Sequence, residues 1–177
     1  IADKGQVAVV SLNYETAPDL QDPGQVLQMQ QAVKDLTTSA DGYPMIDFGQ
    51  LFFGGDSAGG QIAGQYVALQ TNKGYANDMH IEQDVDAQAI KGFISYCAPL
   101  DLKQTASVSS DDAFMKFFVH TVAWSLLGRK EWQTSAELQQ ISLVDKLTVT
   151  FPPSYITDGN AYSFEEQGLA FSKQLIE

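Results

Sequence analysis

Ser57 sits at the centre of Gly55-Asp56-Ser57-Ala58-Gly59-Gly60, between the apolar run Leu51-Phe52-Phe53-Gly54 and the stretch Gln61-Ile62-Ala63-Gly64-Gln65-Tyr66-Val67-Ala68. A Gly-x-Ser-x-Gly pattern between a strand and a helix is that of a nucleophile elbow. A strand that turns at once into a helix strains its central residue and crowds the neighbours. Gly55 and Gly59, two before and two after Ser57, are therefore expected to lack bulk for steric reasons. The turn holds the hydroxyl clear of the sheet, beside a helix N-terminus whose free N–H groups stabilise negative charge. Ser57 is thus expected to be an acyl-transfer nucleophile. The competing reading is a glycine-rich turn with a serine cap, since serine is a favoured N-cap residue. Asp56 is adjacent in sequence and points elsewhere, so it is expected to fix the turn by hydrogen bonding.

A serine nucleophile needs a base and an acid, and the supply is thin. The only histidines are His80, in a polar stretch, and His120, in an apolar helical one. Either is more simply structural, a lone histidine on an apolar helix usually being packed. The single cysteine, Cys97, lies in an apolar run and reads as a buried small residue. These isolated residues offer no metal-ligand spacing, and acyl transfer needs no cofactor.

The chain has 177 residues, one domain by length, and a net charge of -12. That charge argues against nucleic acid and against docking on anionic lipid, and is most simply a matter of solubility. No run reaches the roughly 18 apolar residues of a membrane span. One cysteine forms no intramolecular disulfide, and no signal-peptide pattern opens the chain, so a cytoplasmic location is expected. The chain starts at Ile1, so a preceding segment can be missing. A homo-oligomer is compatible with all of this.

The elements that must position Ser57 alternate. Gln6 to Leu12 reads as a buried β-branched strand, followed by a turn-rich connection. Asp22-Pro23-Gly24 opens a helix with Val26, Met29, Val33 and Leu36 at helical spacing. Leu51 to Gly54 is the second strand, and Ala58 to about Asn72 the second helix. Lys73 to Asp86 reads as a surface loop, and Ile90 to Cys97 as a third strand. A block over about 105–145 interrupts the alternation. It holds a helical stretch from Phe114 to Leu127, bounded by Ser109-Ser110-Asp111-Asp112, and a shorter helix and turn over 135–147. Its aromatics are expected in the core or lining an acyl pocket. Ser154 to Thr157 is a fourth strand, and Glu165 to Ile176 the last helix. This alternation implies an α/β fold, a mostly parallel sheet with helices on both faces, the insertion overhanging the C-terminal strand ends.

At this point the chain resembles the α/β-hydrolases of the hormone-sensitive-lipase-like esterase group. Gly55 to Gly60 is similar to that family's elbow. Val9 to Asp19 is similar to its strand ending in Tyr-Arg-Leu-Ala-Pro-Glu, Ser95 to Asp101 to the strand after the elbow helix, and Phe151 to Gly159 to the strand leading to the catalytic acid. The resemblance covers essentially the whole chain. It implies that Ser57 is the nucleophile and that the N–H of Ala58 is one oxyanion donor. The family's acid lies three residues after the glycine equivalent to Gly159, where this chain has Tyr162. Asp158 is then the preferred acid, with Glu165, Glu166 and Asp101 as alternatives. In this fold the histidine follows the acid, and the resemblance implies that a His-Gly-Gly-Gly type segment should precede Ile1. The 177 residues are thus expected to be the middle of a longer hydrolase, with little activity of their own.

Carboxylesterase chemistry on small short-chain acyl esters is the resulting expectation. A hydrolase-fold binding protein with a decayed triad, or a peptidase or amidase of the same fold, stands as the alternative. The string also resembles Gly-Asp-Ser-Gly-Gly of chymotrypsin-like proteases, but Ala58 interrupts it and the alternating elements do not suit an all-β fold.

Overall fold

The computed structural model describes residues 1–107, 113–160 and 163–176. Tyr162, and the 109–112 boundary of the insertion, lie outside these. In chain order the elements are α1 (Ala2–Gly5), α2 (Gly24–Thr38), β1 (Leu51–Asp56), α3 (Ala58–Thr71), α4 (Lys73–Met79), β2 (Ile90–Tyr96), α5 (Leu102–Ser107), α6 (Ala113–Leu127), α7 (Ala136–Ile141), β3 (Ser154–Thr157) and α8 (Glu165–Ile176). The strands form a parallel sheet in the order β1-β2-β3. This is the expected class: a crossover helix follows β1, and the insertion separates β2 from β3.

Side-chain direction shows how the core is built. Phe53 and Phe93 are register partners, so their rings leave the sheet on the same side. Phe53 meets the edge of Tyr66 on α3 at 5.2 Å, and Phe93 packs against Phe151 and against Phe171 of α8. The elbow helix and the last helix therefore cover one face together, with α2 against α3. On the opposite face Phe52, Tyr96 and Tyr155 are exposed. The insertion has its own apolar cluster, built on Ala123, Leu127, Trp132, Leu138 and Ile141.

Several expectations are corrected. Residues 6–12 form no strand: Val7, Val9 and Val10 are 45%, 57% and 49% exposed. Strand propensity is a fit to a pleated, half-buried surface, and among the described residues no neighbour gives this run one. Part of the supposed loop over 73–86 is helix. Asn72 Oδ1 accepts the Tyr75 N–H at 3.0 Å and starts α4, which buries Tyr75 and Ala76. The polar remainder is tied down by Gln70 Oε1, which accepts from Asp84 N at 2.8 Å and Val85 N at 3.0 Å. Cys97 is not buried but half-buried, in a left-handed conformation with φ 51°. The aromatics between Phe114 and Leu127 do not fill a core either, Phe114 and Phe117 being 61% and 70% exposed, whereas Trp132 is buried. Among the described residues no helix is long and apolar enough to cross a membrane.

A buried polar group and a partly buried one give stability tests. The Ser95 hydroxyl, fully buried in β2, has no hydrogen-bond partner among the described residues. An unsatisfied buried group costs more than its removal, so Ser95→Ala is expected to leave stability unchanged or raise it by about 1 kcal/mol in urea unfolding. Asp22 is pushed up to about 6, chiefly by burial, with the Gln65 amide beside it pulling the other way. A carboxyl raised on folding binds more protons in the folded state between about pH 4 and 6. Stability therefore falls as pH rises through that window and stays reduced above it. Asp22→Asn is expected to exceed the wild type by on the order of 1–2 kcal/mol at pH 7.5 and to lose that advantage near pH 4, checked by unfolding at the two pH values.

Candidate active site

β1 ends at Asp56 and α3 begins at Ala58, leaving Ser57 alone to make the turn. It does so at φ 53°, ψ -121°. An ordinary N-cap serine lies in the β region and bonds back to its helix. Ser57 does neither: φ is positive and its side chain makes no capping bond. Its backbone is fully used instead. The N–H donates to Tyr96 O at 2.8 Å, and the carbonyl accepts from Gly60 N at 3.1 Å and Gln61 N at 3.2 Å. The side chain is exposed, beside the first turn of α3, where helical N–H groups such as that of Ala58 have no acceptor within the helix.

The steric account of the elbow glycines needs one change. A Cβ on Gly55 would stand 2.4 Å from Gly59 C and 2.7 Å from Gly60 N, so this position tolerates nothing larger. A Cβ on Gly59 would meet nothing within 4 Å, whereas one on Gly60 would lie 2.7 Å from Ala98 Cβ and 2.9 Å from Gly55 O. The contact that requires a second glycine is thus at Gly60, not Gly59. It is made by the side of the helix that faces β1 and the chain leaving β2, while Gly59 faces outward.

The register sets three residues in a row at the C-terminal edge of the sheet. Asp56 pairs with Tyr96, and Tyr96 with Thr157, so Ser57, Cys97 and Asp158 each follow a strand end. Two strand spacings put the outer two about 10 Å apart at Cα, leaving room for one imidazole between their side chains. Asp158 Oδ1 accepts Gly159 N–H at 2.7 Å and Oδ2 accepts Phe164 N–H at 2.8 Å. Desolvation, then the charge and hydrogen bond of Asp158, push the Cys97 thiol above its ordinary range, with Asp56 adding to the effect. Sequence reasoning missed Cys97 as part of this row, although its place at the end of a strand before Ala98-Pro99 was a usable signal.

The other acids are occupied elsewhere. Asp101 Oδ1 accepts Lys103 N at 3.2 Å at the start of α5. Glu165 and Glu166 lie in the first turn of α8, where a negative charge suits the helix dipole. Asp56 is exposed at the end of β1. The histidines are not brought to Ser57 as a base would be. His80 ends α4, which follows the far end of α3. The 14 residues of α3 alone span about 21 Å. His120 Nδ1 accepts the Trp132 indole N–H at 3.1 Å. An indole only donates, so that lone pair is spent and the proton sits on Nε2. Among the described residues no group of three or more His, Cys, Asp or Glu could hold a metal ion.

The whole chain, residues 1–177, matches the family model described as the alpha/beta hydrolase fold. The chain belongs to the α/β-hydrolase fold family, a parallel sheet with helices on both sides. No curated protein sequence matches it significantly. Among solved structures it is similar to an esterase of Pyrobaculum calidifontis, at 18% identity and TM-score 0.70, over 99% of this chain and 54% of that one. It is likewise similar to an inhibited esterase B of Lactobacillus rhamnosis, at 19% identity and TM-score 0.70, over 93% and 50%. Carboxyl esterase 2 of Tuber melanosporum matches at 17% identity and TM-score 0.64, over 93% and 51%. At these identities the likeness shows the fold. The chain spans about half the length of the solved structures it matches.

The elbow geometry is open to a direct test. Gly55→Ala and Gly60→Ala are each expected to cost about 2 kcal/mol or more, because backbone or Cβ atoms must give way. Gly59→Ala is expected to be neutral or stabilising by up to about 1 kcal/mol, from helix propensity. Thermal unfolding of the three variants would check this.

Proposed function

We propose that the protein is a serine esterase acting on short-chain acyl esters, with Ser57 as nucleophile and Asp158 as the triad acid. The observation that carries this is Ser57 itself, an exposed, uncapped serine at positive φ on a strand-to-helix turn. Ser57 Oγ attacks the ester carbonyl while a histidine takes its proton. The oxyanion is held by the N–H of Ala58 and a second donor, each such donor being worth about 2.7–4 kcal/mol. The imidazolium then protonates the leaving alcohol, and water, activated by the same imidazole, releases the acid from the serine. Asp158, fixed by two backbone N–H groups, retains lone pairs to accept the histidine's other N–H.

His120 is an unsuitable base, because its Nδ1 lone pair is engaged by Trp132, and His80 lies beyond the far end of α3. We therefore assign the base to a histidine of the longer protein, outside these 177 residues. Support for short acyl chains comes from the esterase B of Lactobacillus rhamnosis, one structure of which is of a C4-C4 tributyrin phosphonate inhibited form.

The full-length protein is expected to hydrolyse p-nitrophenyl acetate or butyrate and to be labelled at Ser57 by a fluorophosphonate. Ser57→Ala should abolish both, and Asp158→Asn should lower kcat by about 10³–10⁴-fold. Absence of labelling with an intact fold would instead favour a binding protein, and cleavage of anilides over esters an amidase.

A further inference from the structure

Inside the insertion a short helical turn, Trp132–Thr134, packs beside α6, and a hydrogen bond ties the two together. The Trp132 indole N–H donates to His120 Nδ1 at 3.1 Å. Trp132 is 2% exposed within the insertion's apolar cluster, and the His120 ring lies between two tryptophans, 6.2 Å from Trp124 and 6.5 Å from Trp132. An indole donates and never accepts, so it needs a ring nitrogen with a free lone pair. Neutral imidazole has one such nitrogen. Imidazolium has none, because both nitrogens then carry hydrogen. Turning the ring over offers the indole the other nitrogen, which is protonated as well. No orientation of a charged His120 keeps the bond, and water has little access to replace it at so buried an indole.

The place of His120 in α6 sets what the bond holds. Ala123 and Leu127, the buried residues of α6, lie in its C-terminal half. That half is also tied by Asp22 N–H, which donates to Leu126 O at 3.1 Å. The N-terminal half carries the exposed Phe114, Phe117 and Phe118, and His120 joins it to the buried Trp132.

We propose that the His120–Trp132 pair is a pH-operated latch: neutral His120 fastens α6 to the turn at Trp132, and protonation releases it. The folded state holds the neutral ring, so the bond's contribution is present at high pH and lost as pH falls. The charges around His120 pull in both directions. Glu165 and Glu166, at the start of α8, line the same cavity and favour the charged ring, as does Glu131, next to Trp132 in the chain. Lys116, one turn earlier on α6, opposes it, and so does Lys130, 5.8 Å from the centre of the Trp124 ring. From α5 the cavity is lined by Gln104, Thr105 and Ala106, none of them charged. Asp22, at the other end of α6, acts on stability in the opposite sense, so global unfolding would mix the two groups and a local signal is needed. Neither partner of the latch takes part in the proposed acyl transfer, and the inference stands apart from the esterase reading.

The indole supplies that signal. In full-length protein, the Trp132 ¹⁵N–¹H resonance, assigned by its loss in Trp132→Phe, would be followed from about pH 8 to about pH 5, across the ordinary range of imidazole. Its protection against hydrogen exchange, corrected for the intrinsic effect of pH, is expected to fall by about tenfold, the equilibrium weight of one hydrogen bond. The fall should keep step with protonation of the His120 ring, followed by its own ¹⁵N shifts, and should persist in Asp22→Asn. His120→Gln, whose side-chain carbonyl accepts from the indole and does not titrate, should hold the protection constant. A constant protection in the wild type, an equal fall in His120→Gln, or loss of the effect in Asp22→Asn would overturn the latch. Should His120→Gln fail to fold, an indole change that does not coincide with His120 protonation overturns it on the wild type alone.

Discussion

The structure turns on a backbone contact between the end of β1 and the first turn of α3. A methyl group on Gly55 would stand 2.4 Å from Gly59 C, so strand and helix touch through their main chains. A chain this tight cannot turn gradually, and Ser57 absorbs the bend at φ 53°. Such a conformation costs about 1–3 kcal/mol. It is held by three backbone hydrogen bonds at Ser57 and by α3, which buries Tyr66, Val67, Ala68 and Leu69 completely. The apolar burial of one helix thus offsets the strain of one residue. The strain in turn leaves the Ser57 side chain outside both elements, exposed at the helix N-terminus.

The remainder of the site is organised along the sheet edge and then away from it. Asp158 continues the row begun by Ser57 and Cys97, and its carboxylate is fixed by Gly159 and Phe164. From Phe164 the chain enters α8, where the buried Gln167 reaches back across the insertion. Its Oε1 accepts Asp101 N at 2.8 Å and its Nε2 donates to Thr105 Oγ1. One glutamine therefore clamps the start of α5 to the helix that follows the proposed acid.

The sequence made the local parts of this plain and the non-local parts obscure. The elbow was legible because every residue from Leu51 to Gly60 acts on its immediate neighbours. Even there the requirement at Gly60 depends on Ala98, more than thirty residues on, which the local spacing of Gly55 and Gly59 does not show. The strands read over Ile90 to Cys97 and Ser154 to Thr157 are legible, since both pack β-branched or aromatic residues on a paired surface, the first ending one residue earlier, at Tyr96. Val7 to Val10 has the same propensity, but without a strand beside it the run stays exposed. Helix α4 was hidden by its polar composition, although Asn72 marks its start. The spent lone pair of His120 could not be read at all, because it depends on Trp132, twelve residues away across a turn.

Electrostatics bears on what this edge can bind. The chain carries a net charge of -12, and Asp158 and Asp56 both act on the Cys97 thiol between them, holding it toward its neutral form. A negative field of this kind opposes the oxyanion of an acyl transfer, so the compensation must be local. The N-terminus of α3, with unpaired N–H groups beside Ser57, is placed to supply it over a short range. The field also treats the two ends of the proposed reaction differently. A neutral ester enters without electrostatic penalty, whereas the carboxylate it releases is repelled by the carboxylates around it. Turnover would then favour neutral substrates and departure of the anionic product.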